Sequence, residues 1–221
     1  MTITRRVCAE LLGSLLLAGT VIGSGILASR MAGGNDAVAL LGNTAATSAM
    51  LYVLISALGP VSGAHFNPAV TLVMALRREI SSGAASIYVV AQVIGCVLGA
   101  WLAHVMFALP ILQIATHVRA GPAEGLSEAV ATFTLVFAIL GVSRWKPDAV
   151  PAAVALVICA GYWWTASTSF ANPAITIARA MSDTFAGVRP TDAPLFIGGQ
   201  FAGALAALGV CTFLFGSGQR P

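Results

Sequence analysis

Charged residues are scarce in this chain of 221 residues: they make up 9% of it, against about 25% in ordinary soluble proteins. Hydrophobic residues account for 58% of the sequence. This composition excludes an ordinary soluble domain and indicates an integral membrane protein. The net charge of +3 is small and its charges are scattered along the chain, which argues against a nucleic-acid partner.

Signatures of metal binding and catalysis are also missing. The four cysteines, Cys8, Cys96, Cys159 and Cys211, lie in apolar segments without CxxC spacing, which favours free buried thiols over a metal site or a disulfide framework. Neither HExxH nor GxSxG occurs, and no pair of aspartates within a span offers a catalytic dyad. We therefore predict that the protein is not an enzyme and has no catalytic residue, no metal and no cofactor.

Long apolar segments dominate what is present. Six of them have about the 20 residues that a membrane-spanning helix needs. They cover approximately residues 7–28, 37–58, 84–108, 124–142, 149–165 and 195–215. The first is too long for a signal peptide and five more follow it, so we interpret it as a span. The whole chain, 1–221, is predicted to be a single transmembrane domain of the all-α class, in contact with membrane lipid.

Two shorter apolar segments each begin with Asn-Pro-Ala. The first is Asn67-Pro68-Ala69 and the second is Asn172-Pro173-Ala174. Asn is a favourable N-cap and Pro is tolerated at the first helical position, so each motif predicts the start of a helix. Charge returns at Arg77 or Arg179 after two or three turns, about half the thickness of a bilayer core of about 30 Å. We predict two re-entrant half-helices that begin at mid-membrane.

The two halves of the chain repeat each other. Glu10 matches Glu128, Gln92 matches Gln200, and the two Asn-Pro-Ala motifs also correspond. Three spans per half is an odd number, so the halves must cross the membrane in opposite directions. The sequence therefore predicts an inverted repeat, with a first repeat of about 1–109 and a second of about 123–217. Gly95 with Gly99 and Gly199 with Gly203 have the spacing that allows close helix approach.

Polar residues within the spans have two readings. Glu10 and Glu128 either relay protons or accept hydrogen bonds from the N–H groups of the two re-entrant loops. We favour loop support because they occupy matching positions in the repeat. We interpret Gln92, Gln200 and His65 in the same way. A role of His65 as a pH-sensitive gate is the alternative.

The distribution of charge predicts an orientation. With both termini in the cytoplasm, seven cationic residues lie inside and four lie outside, as the positive-inside rule favours. The inside set is Arg5, Arg6, Arg77, Arg78, Arg144, Lys146 and Arg220, and the outside set is Arg30, Arg119, Arg179 and Arg189. The short termini suggest a bacterial inner membrane.

The half-helices suggest a function. Their N-termini each carry about half a positive charge, and the side chains of Asn67 and Asn172 can offer N–H donors to the space between them. Neutral solutes with lone pairs can pass such a site, whereas cations are repelled. An ion-coupled secondary transporter also has broken helices at mid-membrane and is the rival interpretation.

The doubled Asn-Pro-Ala motif, the His65-Phe66 lead-in and the paired Glu and Gln residues resemble the aquaporin, or major intrinsic protein, family over essentially the whole chain. The resemblance implies a homotetramer with one pore per subunit, each of six spans and two half-helices. It also implies a selectivity filter, which counting along the family pattern places at Thr47, Ala160, Ser169 and Ile175.

The filter departs from the usual family pattern. Most members carry arginine directly after the second motif, where this chain has Ile175, and none of the four positions is aromatic or charged. Bacterial relatives that lack this arginine resemble channels linked to metalloids. We expect a passive channel for small neutral solutes such as arsenous acid, methylated arsenicals, glycerol-sized molecules and water. A water-selective channel is the alternative. Arg179, one turn beyond Ile175, either brings charge to the outer mouth or snorkels to the interface.

Overall fold

The computed structural model describes residues 1–216, so the predicted end of the second repeat at 217 and the cytoplasmic Arg220 lie outside the described residues. Within this range the regular structure is entirely helical. Six helices are long and apolar enough to cross a membrane, and two short helices lie among them. The predicted fold class, an all-α membrane protein with six spans and two half-helices, is confirmed.

The bounds of the helices agree with the sequence-based spans to within a few residues. The long helices are α1 (Ile3–Met31), α2 (Asp36–Ser62), α4 (Ser82–Met106), α5 (Pro122–Trp145), α6 (Val150–Trp164) and α8 (Ala193–Phe215). The half-helices are α3 (Pro68–Leu76) and α7 (Pro173–Ala180), and a 3-10 turn at Pro147–Ala149 precedes α6. The largest differences are at α1, which extends beyond the predicted span at both ends, and at α2, which continues through Gly59 and Pro60 to Ser62. Gly63, in the left-handed conformation, caps α2.

The two half-helices begin where the Asn-Pro-Ala motifs place them. The Asn67 side-chain oxygen accepts a hydrogen bond from the Ala69 amide at 2.9 Å, and the Asn172 oxygen accepts from Ala174 at 3.0 Å. Proline follows each cap at the first helical position, where its missing N–H costs nothing. The half-helices contain only nine and eight residues, so they cannot cross a bilayer.

The spacing of small residues predicts close helix packing, and α4 does pack against α1, as α8 packs against α5. At Gly95 and Gly99 of α4, a β-carbon would overlap backbone carbonyl oxygens of α1. At Gly199 and Gly203 of α8, it would overlap backbone carbonyl oxygens of α5. The absence of a side chain at these four positions therefore sets the distance between the paired helices.

We predict that Gly203→Ala destabilises the fold because its methyl group would overlap the Ala129 carbonyl oxygen. Forcing a methyl group into a closed interface costs about 1–3 kcal/mol. Gly209→Ala is the matched control, since among the described residues no atom outside the local backbone of α8 lies within 4 Å of the added carbon. The thermal midpoint of the purified protein in detergent should fall for Gly203→Ala alone. Equal midpoints for the two variants would contradict this account of the α5–α8 interface.

Candidate permeation pathway

A buried carboxylate holds the loop that precedes the first half-helix. One oxygen of Glu10 accepts hydrogen bonds from the Ser62 hydroxyl at 2.6 Å and the His65 amide at 3.0 Å. The other accepts from the Phe66 amide at 2.7 Å and the Gln92 side chain at 2.8 Å. Glu10 is fully buried, and four donors match the acceptor capacity of an ionised carboxylate.

The second loop is held in the same way. Glu128 is also fully buried and accepts hydrogen bonds from the Phe170 and Ala171 amides, both at 2.8 Å. Its second oxygen also accepts from the Gln200 side chain at 2.5 Å. Gln92 and Gln200 each donate as well to the threonine four residues beyond the motif asparagine, Thr71 or Thr176, at 2.9 Å. These contacts support the role in the loops that the sequence predicts for the two Glu–Gln pairs.

The loop backbones adopt left-handed conformations that are uncommon outside glycine. Phe66 and Ala171, which precede the two asparagines, have φ of 48° and 49°. Such residues cost of order 1–3 kcal/mol each, so the surrounding contacts must hold them in place. The conformation turns the Phe66 and Ala171 carbonyls toward the opposite loop, where each accepts a hydrogen bond.

The two asparagines join the half-helices at their N-terminal ends. The Asn67 amide nitrogen donates to the Ala171 carbonyl at 2.7 Å, and the Asn172 amide nitrogen donates to the Phe66 carbonyl at 2.7 Å. An asparagine amide has two N–H groups, and one is used in this exchange. Both residues line the central cavity, so each retains one N–H donor for a molecule inside it.

A cavity of about 260 Å³ runs past these asparagines through the helix bundle. Its walls are largely aliphatic. Four of the long helices, α1, α2, α5 and α6, contribute to them, together with both half-helices and both loops. Among its lining residues, the ionisable groups apart from His65 and Tyr162 are Glu79 at one end and Arg179 at the other. The cavity can accommodate small molecules and offers them the side-chain amides of the two asparagines.

Three of the four expected filter residues line this cavity. Thr47, Ser169 and Ile175 are buried in its wall, whereas Ala160 is exposed on α6 and does not border it. Tyr162 borders the cavity instead, and its hydroxyl lies 3.5 Å from the Thr47 hydroxyl. Ala160 and Tyr162 are two residues apart, which corresponds to about 200° around a helix. Counting along the family pattern therefore selected the opposite face of α6.

Tyr162 therefore replaces Ala160 in the candidate filter, and one wall of the filter is aromatic, contrary to the sequence-based expectation. The helical period could have indicated Tyr162, because residues four apart lie on the same face of a helix. Ile158, four residues before Tyr162, also lines the cavity. Ser169 packs directly against Gly161, the neighbour of Tyr162.

His65 also lines the cavity, and its environment is consistent with the predicted support of the loop. Its Nδ1 atom lies 3.1 Å from the Thr71 hydroxyl, and its ring meets Tyr88 edge-on with 5.5 Å between centroids. The Tyr88 hydroxyl donates in turn to the Ser62 carbonyl at 2.9 Å. The His65 ring thus connects the half-helix α3 to the loop that precedes it.

Two loops close over the Arg179 end of the bundle. The carboxylate of Asp183 accepts hydrogen bonds from the amide and the hydroxyl of Thr116, both at 2.8 Å, and these bonds lower the pKa of Asp183. The Arg189 amide donates to the His117 carbonyl at 2.8 Å. The segment after α4 is thereby fixed to the segment after α7, which positions the residues around Arg179.

Comparison with known proteins agrees with this architecture. The family model for the major intrinsic proteins matches residues 1–146. The chain is 51% identical to aquaglyceroporin AqpS of Rhizobium meliloti (strain 1021), over 96% of this chain and 91% of that protein. It is 33% identical to aquaporin TIP4-4 of Zea mays, over 92% of this chain and 84% of the relative.

A solved structure has the same fold. The aquaglyceroporin from Plasmodium falciparum superposes with a TM-score of 0.68 at 21% identity, covering 96% of this chain and 95% of that one. The doubled helix-opening asparagines, the paired carboxylates and these similarities lead to one assignment. The chain belongs to the major intrinsic protein family, whose members are channels and not enzymes.

Proposed function

We propose that this protein is a passive channel for small uncharged solutes larger than water, with water passing as well. The solutes include glycerol-sized molecules, metalloid hydroxides such as arsenous acid, and methylated arsenicals. The observation that carries the proposal is the apolar side chain of Ile175, which lines the cavity one turn beyond the second asparagine. A relative with 51% identity is named an aquaglyceroporin, which also favours solutes larger than water.

The centre of the cavity supports the restriction to neutral solutes. Asn67 and Asn172 each offer one N–H donor at the N-terminus of a half-helix, where the helix dipole places partial positive charge. A solute with an oxygen lone pair replaces part of its hydration there. A cation loses hydration and meets two positive dipole ends, so its passage is opposed.

The filter supports solutes larger than water. Ile175 presents a branched hydrocarbon, and Thr47 and Ser169 add two hydroxyl groups on other parts of the wall. Ser169 borders the cavity and its hydroxyl has no hydrogen-bond partner among the described residues, so a solute hydroxyl that reaches it would complete its hydrogen bonding. An amphipathic wall of this kind suits molecules such as glycerol or arsenous acid, which have hydroxyl groups on a compact body.

Two alternatives have weaker support. A water-selective channel is favoured only by the aromatic Tyr162, which occupies part of the filter wall. An ion-coupled transporter requires an ion-binding group at mid-membrane, and the two asparagines that line the cavity there offer neutral amides instead.

We further propose that the protein lies in a bacterial inner membrane as a homotetramer with both termini in the cytoplasm. The cationic residues at the Glu79 end of the bundle support this orientation by the positive-inside rule. They are Arg77 and Arg78 after α3, Arg144 in the last turn of α5, and Lys146 directly after α5. The exposed apolar faces of the spans are available for lipid and for neighbouring subunits.

Ile175→Arg should reduce the flux of large solutes far more than that of water. A guanidinium there narrows the cavity and adds charge, so we expect glycerol and arsenous acid flux to fall about tenfold and water flux much less. Stopped-flow measurements on proteoliposomes with water, glycerol, urea and arsenous acid test this, with Ile175→Val as the control of similar polarity. Equal losses for water and for larger solutes would show that Ile175 does not set the size limit.

Tyr162→Ala should widen the filter, because its ring borders the cavity beside Thr47. We expect the ratio of glycerol flux to water flux to rise severalfold. Ala160→Ser, on the exposed face of the same helix, is the control and should leave the ratio unchanged. A change with Ala160→Ser and none with Tyr162→Ala would restore the position chosen by sequence counting.

A further inference from the structure

Arg179 is a buried cation that forms no close ion pair within the described residues. It is 2% exposed, near the C-terminal end of α7, and its side chain lines the cavity. Within residues 1–216 it forms no ion pair with a carboxylate, since the salt bridges seen there join Arg77 to Glu79 and Arg189 to Asp192. An arginine that snorkels to the membrane surface would be exposed, so the structure excludes that reading.

The guanidinium is held in a fixed orientation. Its Nε atom donates to the Ala186 carbonyl, and its central carbon lies 3.3 Å from the centroid of the Phe170 ring. Phe170 is itself fixed, because its amide donates to Glu128 and its ring contacts Phe196 edge-on at 4.8 Å. Stacking on Phe170 covers one face of the guanidinium and leaves its edge to hydrogen-bond elsewhere.

Part of that edge has no partner. The Nη1 atom of Arg179 is buried and makes no hydrogen bond within residues 1–216. The same is true of the Ser169 hydroxyl, which lines the cavity beside Phe170. Buried polar groups are almost always paired, and an unpaired buried charge is far more costly than an unpaired hydroxyl. Two residues that line one cavity thus each carry an unpaired polar group that a bound solute can satisfy.

We propose that Arg179 is a specificity-determining residue of the channel, which binds oxygen-bearing neutral solutes through its guanidinium together with the Ser169 hydroxyl and repels cations at this end of the cavity. It acts one helical turn away from Ile175, toward the C-terminus of α7. An uncharged filter at Ile175 and a cationic binding site beyond it then take the place of a single charged constriction. The inference rests on the proposed function and identifies the chemistry that the same pathway selects.

The position of Arg179 relative to Ile175 explains how a wide filter can exclude cations. Ile175 offers no charge, so the pathway at that level opposes ions only through its low dielectric. A fixed guanidinium about 6 Å further along the helix raises the energy of any cation that enters from the Arg179 end. The same group strengthens the hydrogen bonds that a hydroxylated solute accepts, because a charged donor binds more strongly than a neutral one.

The test compares Arg179→Met, Arg179→Lys and Arg119→Met in proteoliposomes. Arg119 is the matched control: its guanidinium carbon lies 5.4 Å from the same Phe170 ring, yet it does not line the cavity. Glycerol flux, water flux and K⁺ conductance are measured for each variant and normalised to the amount of reconstituted protein. A merely structural residue would change the three rates together, whereas a specificity residue changes their ratios.

We expect Arg179→Met to raise the ratio of K⁺ conductance to water flux about tenfold and to lower the ratio of glycerol flux to water flux. Arg179→Lys should keep K⁺ excluded but lose glycerol flux, since lysine retains the charge without the planar set of donors. Unchanged ratios in Arg179→Met, or the same shift in Arg119→Met, would overturn the proposal. If Arg179→Met does not fold, a wild-type glycerol-to-water ratio in Arg179→Lys overturns it. A wild-type protein that passes no glycerol would refute the proposed function first.

Discussion

The pathway depends on two buried carboxylates that hold irregular backbone in the middle of a membrane. Hydrocarbon supplies no hydrogen bonds, so every exposed N–H of the two loops must find a partner within the protein. Glu10 and Glu128 meet this need in the same way, each accepting two consecutive loop amides and one glutamine side chain. Without these acceptors, the left-handed residues before each asparagine would lose the hydrogen bonds of their amides, and the starting points of the half-helices would be held less firmly.

The permeation chemistry follows from that anchoring. Each asparagine spends its oxygen on the cap of its own half-helix and one N–H on the carbonyl of the opposite loop. The half-helices are therefore locked together at their positive ends, with one amide N–H from each left for the cavity. In our proposal, selection for charge arises at this junction and at Arg179, and selection for size arises between them, in the wall formed by Thr47, Tyr162, Ser169 and Ile175.

Much of this arrangement could be predicted from the sequence because the signals are local or repeated. Asn followed by Pro specifies a helix start, and the scarcity of charge specifies the spans. Glu10 and Glu128 could be paired because the repeat places them equivalently. The position of Ala160 could not be corrected in this way, because an offset of two residues in counting leaves the motif intact but selects the opposite face of a helix. The burial of Arg179 was also hidden, because it depends on contacts with Phe170 and Ala186 that no spacing reveals.

The most direct test of the central junction is the flux through Asn172→Asp. Aspartate keeps an oxygen to cap α7 but cannot donate a hydrogen bond when ionised, and it adds negative charge between the helix ends. Glycerol flux and K⁺ conductance should be measured on the same proteoliposomes as wild type. The account predicts that glycerol flux falls and that K⁺ conductance rises. Unchanged glycerol flux with K⁺ still excluded would contradict the claim that the asparagine amides select neutral solutes.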